Sequence, residues 1–250
     1  MVIQNHQKKP LILLLSGCGL FALSLVQGFS SVIFIAFVPF LILVDLPWDL
    51  KPTYRVFFFS VACVFCLTFI PGPWRITGVF YYCFGVITLL TFYIIAQRLT
   101  QNRLNKFSLI ILWIGLEYVF LLFLTDKNPF FLPDVFQDHL TWVRWNIYTG
   151  YLGATLWILL INLLIYEAVN GRKINYFFLV LAAMFTILPI IYSINLSQNA
   201  LAKGNVISFY SGTSTANSDY GELISRTGAW VSILIIIFTL IRVKTKKVAR

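Results

Sequence analysis

Charge is what this chain has least of. Asp, Glu, Lys and Arg make up only 11% of its 250 residues, against about 25% in an ordinary soluble domain. A soluble globular protein is excluded on that ground, and at this length there is no room for a sizeable soluble domain beside an apolar one. Histidine is nearly absent: His6 and His139 are the two copies, too few for a metal centre built on one face. The four cysteines, Cys18, Cys63, Cys66 and Cys83, all lie inside apolar runs. The C-x-x-C spacing of "CVFC" therefore lacks the polar surroundings and further ligands that a zinc or redox site needs, and these thiols read as small buried hydrophobes. A G-x-S-x-G nucleophile elbow is also missing, as are internal repeats and heptads.

What is present is apolar. Hydrophobic residues reach 59% and aromatics 17%, so the expected class is an all-α integral membrane protein. One polytopic membrane domain over 1–250 is expected, with about eight transmembrane helices of roughly 20 residues each. The runs fall near 10–27, 30–46, 54–71, 77–97, 108–124, 149–169, 175–196 and 227–242. The first has a basic flank, "HQKKP", and no A-x-A-type cleavage site, so it reads as an uncleaved anchor. The first two runs are short and joined by "VQGFSS"; a tilted or interfacial hairpin stays open beside two full crossings.

The charges give an independent test of this count. With the N-terminus cytoplasmic, the inner segments hold 14 of the 19 Lys and Arg residues. The outer segments hold 5: Arg75, Lys127, Arg144, Lys203 and Arg226. That asymmetry follows the positive-inside rule, placing both termini in the cytoplasm. The net charge of +10 thus sets orientation; no basic stretch is long enough to track the phosphates of a nucleic acid.

Three features then face outward. The turn "PGPWRITG" carries Trp74 and Arg75 between helix breakers. The loop 125–148 carries His139, Trp142 and Trp145; Asp134 is expected to cap a short helix there, with Val135, Leu140, Trp142, Val143 and Trp145 on a membrane-facing side. A polar segment, 198–226, separates the last two apolar runs with "KGNVISFYSGTSTANSDYGELISRTG". Its serines, threonines and glycines without an apolar frame read as an open loop rather than as a Ser–Lys active site.

Within the spans the polar candidates are Glu117 and Asn162. A carboxyl in mid-membrane is costly unless protonated or paired, so Glu117 marks a site or a helix–helix hydrogen bond, with Asn162 the natural first partner. His139 beside Asp138 can serve as a base or sit as a solvated interfacial histidine.

One stretch carries a resemblance. "WVRWNIYTGYLGATLWILLINLLIYEA" resembles a segment of bacterial apolipoprotein N-acyltransferases, through Tyr148, Thr149, Gly150, Gly153, Leu156, Trp157 and Asn162. "LIILWIGLEYVF" is similar to that family's fifth helix, with Trp113 four residues before the Glu117–Tyr118 pair. "LLLSGCGLFALSL…IFIAFVPFLI" resembles its first hairpin, and "RTGAWVSILIIIFTLI" its closing helix. The resemblance implies a lipid-handling membrane scaffold of a bacterial inner membrane. It also implies a nitrilase-like outer domain between the seventh and eighth spans, whose Glu, Lys and Cys move an acyl chain from phospholipid to a lipoprotein. Here the polar segment stands in that place, and no cysteine lies on the outer face. No catalytic residue is therefore carried over, and no cofactor or metal is implied.

The resulting expectation is a non-catalytic membrane protein. It would bind membrane lipid, a lipoprotein or a membrane or periplasmic protein partner, on its own or as a subunit of a larger complex. Two alternatives stay open: an acyltransferase of lipoprotein maturation completed by a separate nitrilase-like chain, and a small transporter.

Overall fold

The computed structural model of the chain describes residues 3–26, 28–45, 85, 87, 93, 106–123, 132–171, 173–196 and 220–248. The expected spans 54–71 and 77–97, apart from Gly85, Ile87 and Tyr93, lie outside the described residues. So do Trp74, Arg75 and the polar segment as far as residue 219.

Every described element is helical, and no strand occurs among the described residues. In chain order they are α1 (Ile3–Ser24), a 3-10 turn (Ser30–Val32), α2 (Ile33–Ala36), α3 (Val38–Asp45) and α4 (Phe107–Phe123). A second 3-10 run (Leu132–Trp142), α5 (Asn146–Thr149), α6 (Tyr151–Val169), α7 (Tyr176–Asn195) and α8 (Tyr220–Val248) follow. Among the described residues α6 over Leu152–Val169 and α7 over Tyr176–Asn195 are long and apolar enough to cross a membrane. A 20-residue helix such as α7 is about 30 Å long, the thickness of a bilayer's hydrocarbon core.

The described chain forms two compact units. One comprises 1–92 with 161–183, the other 93–160 with 184–250, so the continuous helices α6 and α7 each contribute residues to both.

In the first unit α1 packs on α2 and α3. The aromatic rings of Phe21, Phe37 and Phe40 meet edge to face there, with centroids 5.7 and 5.9 Å apart. The apolar run expected as one helix over 30–46 is broken at Phe37. Pro39 is the physical cause: it has no N–H to donate to the carbonyl one turn back, and it crowds the preceding turn.

In the second unit α8 packs against α4 and α5, with Tyr118 edge-on to Trp230 at 6.1 Å between centroids. α8 also differs from its expected span. It begins at Tyr220, within the polar segment, and runs on to Val248.

α6 and α7 differ sharply in surroundings. Just over half of the α6 span is buried inside the protein, whereas only 11% of the α7 span is. Tyr176, Phe177, Val180, Leu188 and Ile194 on α7 all expose more than half of their surface.

Candidate functional site

Glu117 sits on α4 four residues after Trp113, and both are fully buried. Its Oε1 accepts a hydrogen bond from the hydroxyl of Thr155 on α6 at 3.0 Å. Thr155 is itself fully buried. A hydroxyl directed at a carboxyl in apolar surroundings offsets part of the cost of burying it. Sequence reasoning passed over Thr155, because a threonine in an apolar run carries no signal of its own.

Asn162, the partner expected for Glu117, is engaged elsewhere. It is fully buried on α6, and its carboxamide bridges the break in the N-terminal hairpin. Phe37 N–H donates to Asn162 Oδ1 at 2.9 Å, and Asn162 Nδ2 donates to Ile33 O at 2.9 Å. Residues 33 and 37 are the i and i+4 positions of one helical turn. The amide thus stands inside an opened turn, taking the donor with one end and the acceptor with the other.

Trp157 performs a related task on α7. Its indole Nε1–H donates to Phe185 O at 2.6 Å. Pro189 lies inside α7, four residues after Phe185, so that carbonyl has no backbone N–H in the regular helical position. The indole supplies the donor that the proline lacks. Two residues singled out from the sequence, on one helix and five positions apart, therefore satisfy backbone groups beside prolines.

The start of α6 explains the two motif glycines. Gly150 adopts φ 71°, ψ −178°, a region essentially reserved for glycine, and its N–H closes on Asn146 O at 2.7 Å. At Gly153 a Cβ would collide with the Thr149 side chain. These constraints turn the chain from the preceding loop into α6 and bring Trp145 against Trp157, rings perpendicular with centroids 5.5 Å apart.

The segment 132–145 packs on the protein itself, which corrects the expected membrane-facing side. Val135, Phe136 and Val143 are buried, and Leu140, Trp142 and Trp145 are half-buried. The backbone is the reason. Residues 132–142 form 3-10 helix broken at His139 (φ −132°, ψ 45°), so no single α-helical face runs through the segment. Phe136 lies 5.8 Å from the Trp157 ring and 6.1 Å from that of Trp142. His139 stacks on Trp142 at 4.6 Å and 11°. The histidine is thus held against an indole face rather than solvated all round. The indole N–H of Trp145 and the side-chain oxygen of Asn146 are buried without hydrogen-bond partners among the described residues.

Arg144 closes the C-terminal end of α7. Its backbone N–H donates to Ser193 Oγ at 2.6 Å, and its Nη1 donates to Leu196 O at 3.2 Å. A guanidinium at the last carbonyls of a helix is favoured by the dipole. In the first unit, the Tyr166 hydroxyl donates to Asp45 Oδ2, and Asn170 Nδ2 reaches the same oxygen at 3.2 Å. That group ties the end of α3 to the end of α6 and carried no sequence signal.

No protein-family model, curated protein or solved structure matches this chain. Among the described residues no group of three His, Cys, Asp or Glu side chains is arranged to hold a metal ion. The polar side chains of the apolar helices are directed at other parts of the same chain: hydroxyl to carboxyl, carboxamide to an opened turn, indole to a proline-freed carbonyl. Such an arrangement fixes helices against one another.

Proposed function

We propose that this chain is a multi-pass protein of a bacterial inner membrane, with about eight spans and both termini cytoplasmic. On this reading it binds lipid or a lipid-bearing partner without transforming it, on a scaffold like the membrane part of apolipoprotein N-acyltransferases. The apolar exterior of α7 and the 14-to-5 charge asymmetry support the membrane placement. The observation that carries the non-catalytic reading is the engagement of Glu117, Trp157 and Asn162. Each makes a hydrogen bond that holds the fold. The sequence offers no cysteine on the outer face to carry an acyl thioester. Binding an acyl chain needs only an apolar groove with a few placed polar groups, so lipid binding does not require a nucleophile.

The test is incubation of the purified chain with phospholipid and a diacylated lipopeptide, followed by mass spectrometry of the peptide. The expected result is an unchanged peptide mass with the isolated chain. An acylated product from the isolated chain would overturn the reading. A product only after adding a nitrilase-like protein would replace it with the two-chain enzyme.

A further inference from the structure

The outer end of α7 combines a cation, exposed aromatic rings and a long apolar face. Arg144 is half-buried. Of its five guanidinium donors, one is engaged, by Leu196 O, and among the described residues no carboxylate pairs with it. A cation beside an apolar span without a counter-charge draws an anion from outside the chain. Tyr148 and Tyr192 flank this end of the helix with ring centroids 6.5 Å apart. Both are about half exposed, the setting in which tyrosine occupies a lipid headgroup layer. From there Leu188, Ile187, Met184 and Val180 continue along α7 and are at least half exposed.

We propose that Arg144 binds the phosphate of an outer-leaflet phospholipid, whose acyl chains lie along the exposed side of α7. The guanidinium fork matches two phosphate oxygens, which a lysine cannot do. The Leu196 carbonyl holds the side chain at the end of the helix, where the headgroup phosphate lies when α7 spans the hydrocarbon. The inference rests on the membrane reading above and adds the ligand class and the residue that recognises it. A free inorganic phosphate offers the same anion; the apolar face beside the arginine favours the lipid.

The experiment titrates the detergent-solubilised full chain with phosphatidylglycerol, and separately with a diacylglycerol of the same acyl chains, read by native mass spectrometry. Phosphatidylglycerol is expected to bind about tenfold more tightly than the diacylglycerol, from one charge-assisted bidentate contact. Arg144→Gln is expected to bring the two lipids level, and Arg144→Lys to fall between. Ser193→Ala removes the acceptor for the Arg144 backbone N–H but leaves the guanidinium, so it should retain the preference; it controls for loosened packing. Equal binding of the two lipids to the native chain would overturn the proposal. So would an Arg144→Gln chain that keeps the preference, an equal loss in Ser193→Ala, or displacement of the lipid by inorganic phosphate. A chain that partitions out of the membrane fraction would instead sink the membrane reading itself, which separates the two failures.

Discussion

Replacing Asn162 with leucine is expected to destabilise the protein by roughly 2–5 kcal/mol. The side chain is fully buried and serves two backbone groups, Phe37 N–H and Ile33 O. Leucine is close in volume and more apolar, so lost packing contributes little. What remains is an Ile33 carbonyl stripped of that donor and a Phe37 N–H left with the Ile35 carbonyl, two weakened buried groups at about 1–3 kcal/mol each. Partial closure of the turn between residues 33 and 37 would bring the figure to the low end, and Pro39 two residues on opposes that closure. Asn170→Leu is the comparison: its amide bonds to Asp45 and Tyr166 are exposed and part-buried, so it should cost well under half as much. Reversible unfolding in mixed micelles, followed by circular dichroism, measures both. Equal, small losses would mean that Asn162 does not hold the hairpin.

The second large effect is a coupling. Trp157→Phe keeps the aromatic packing with Phe136 and Trp145 but removes the donor to Phe185 O. The expected cost is about 2–3 kcal/mol, most of it from a carbonyl left without a donor. Pro189→Ala restores a backbone N–H at the position that a regular helix uses for that carbonyl. In the Pro189→Ala background the same Trp157→Phe change should therefore cost about 1–2 kcal/mol less. The double-mutant cycle reads this difference directly. Zero coupling would show that the indole's contribution is packing alone, and the account of Trp157 as a substitute donor would fail.

The helical class was legible because long apolar runs with scarce charge permit little else, and α6 and α7 lie within a few residues of their expected positions. Asn162 stood out as a polar group in an apolar helix, and Trp157 as part of the motif that carries the resemblance. Their targets did not, because the partners are backbone atoms and a backbone carbonyl has no letter in a sequence. The nearest available signal is the proline: Pro189 four residues after Phe185, and Pro39 just past the opened turn. The loop before α6 was misjudged for a different reason. Asp134 and the apolar spacing after Pro133 suggested one α-helix with a lipid-facing side, whereas the segment is 3-10 helix kinked at His139, and Phe136 and His139 both meet the Trp142 ring. Thr155 was invisible because a hydroxyl in an apolar helix usually bonds its own backbone; only the position of Glu117 on a neighbouring helix gives it a role. The helical start at Tyr220 within the polar segment was missed because the boundary was drawn where hydrophobicity resumes, and a backbone helix can begin before it.

The measurement that tests the central claim most directly is orientation in the membrane. Protease-cleavable tags placed at each terminus and after Ser214 should be probed in right-side-out and inverted inner-membrane vesicles washed with alkaline carbonate. The account predicts that the protein stays with the membrane, that the tag after Ser214 is cut only from the outside, and that both terminal tags are cut only in inverted vesicles. Release of the chain by carbonate, or cleavage of the tag after Ser214 in inverted vesicles, would contradict it.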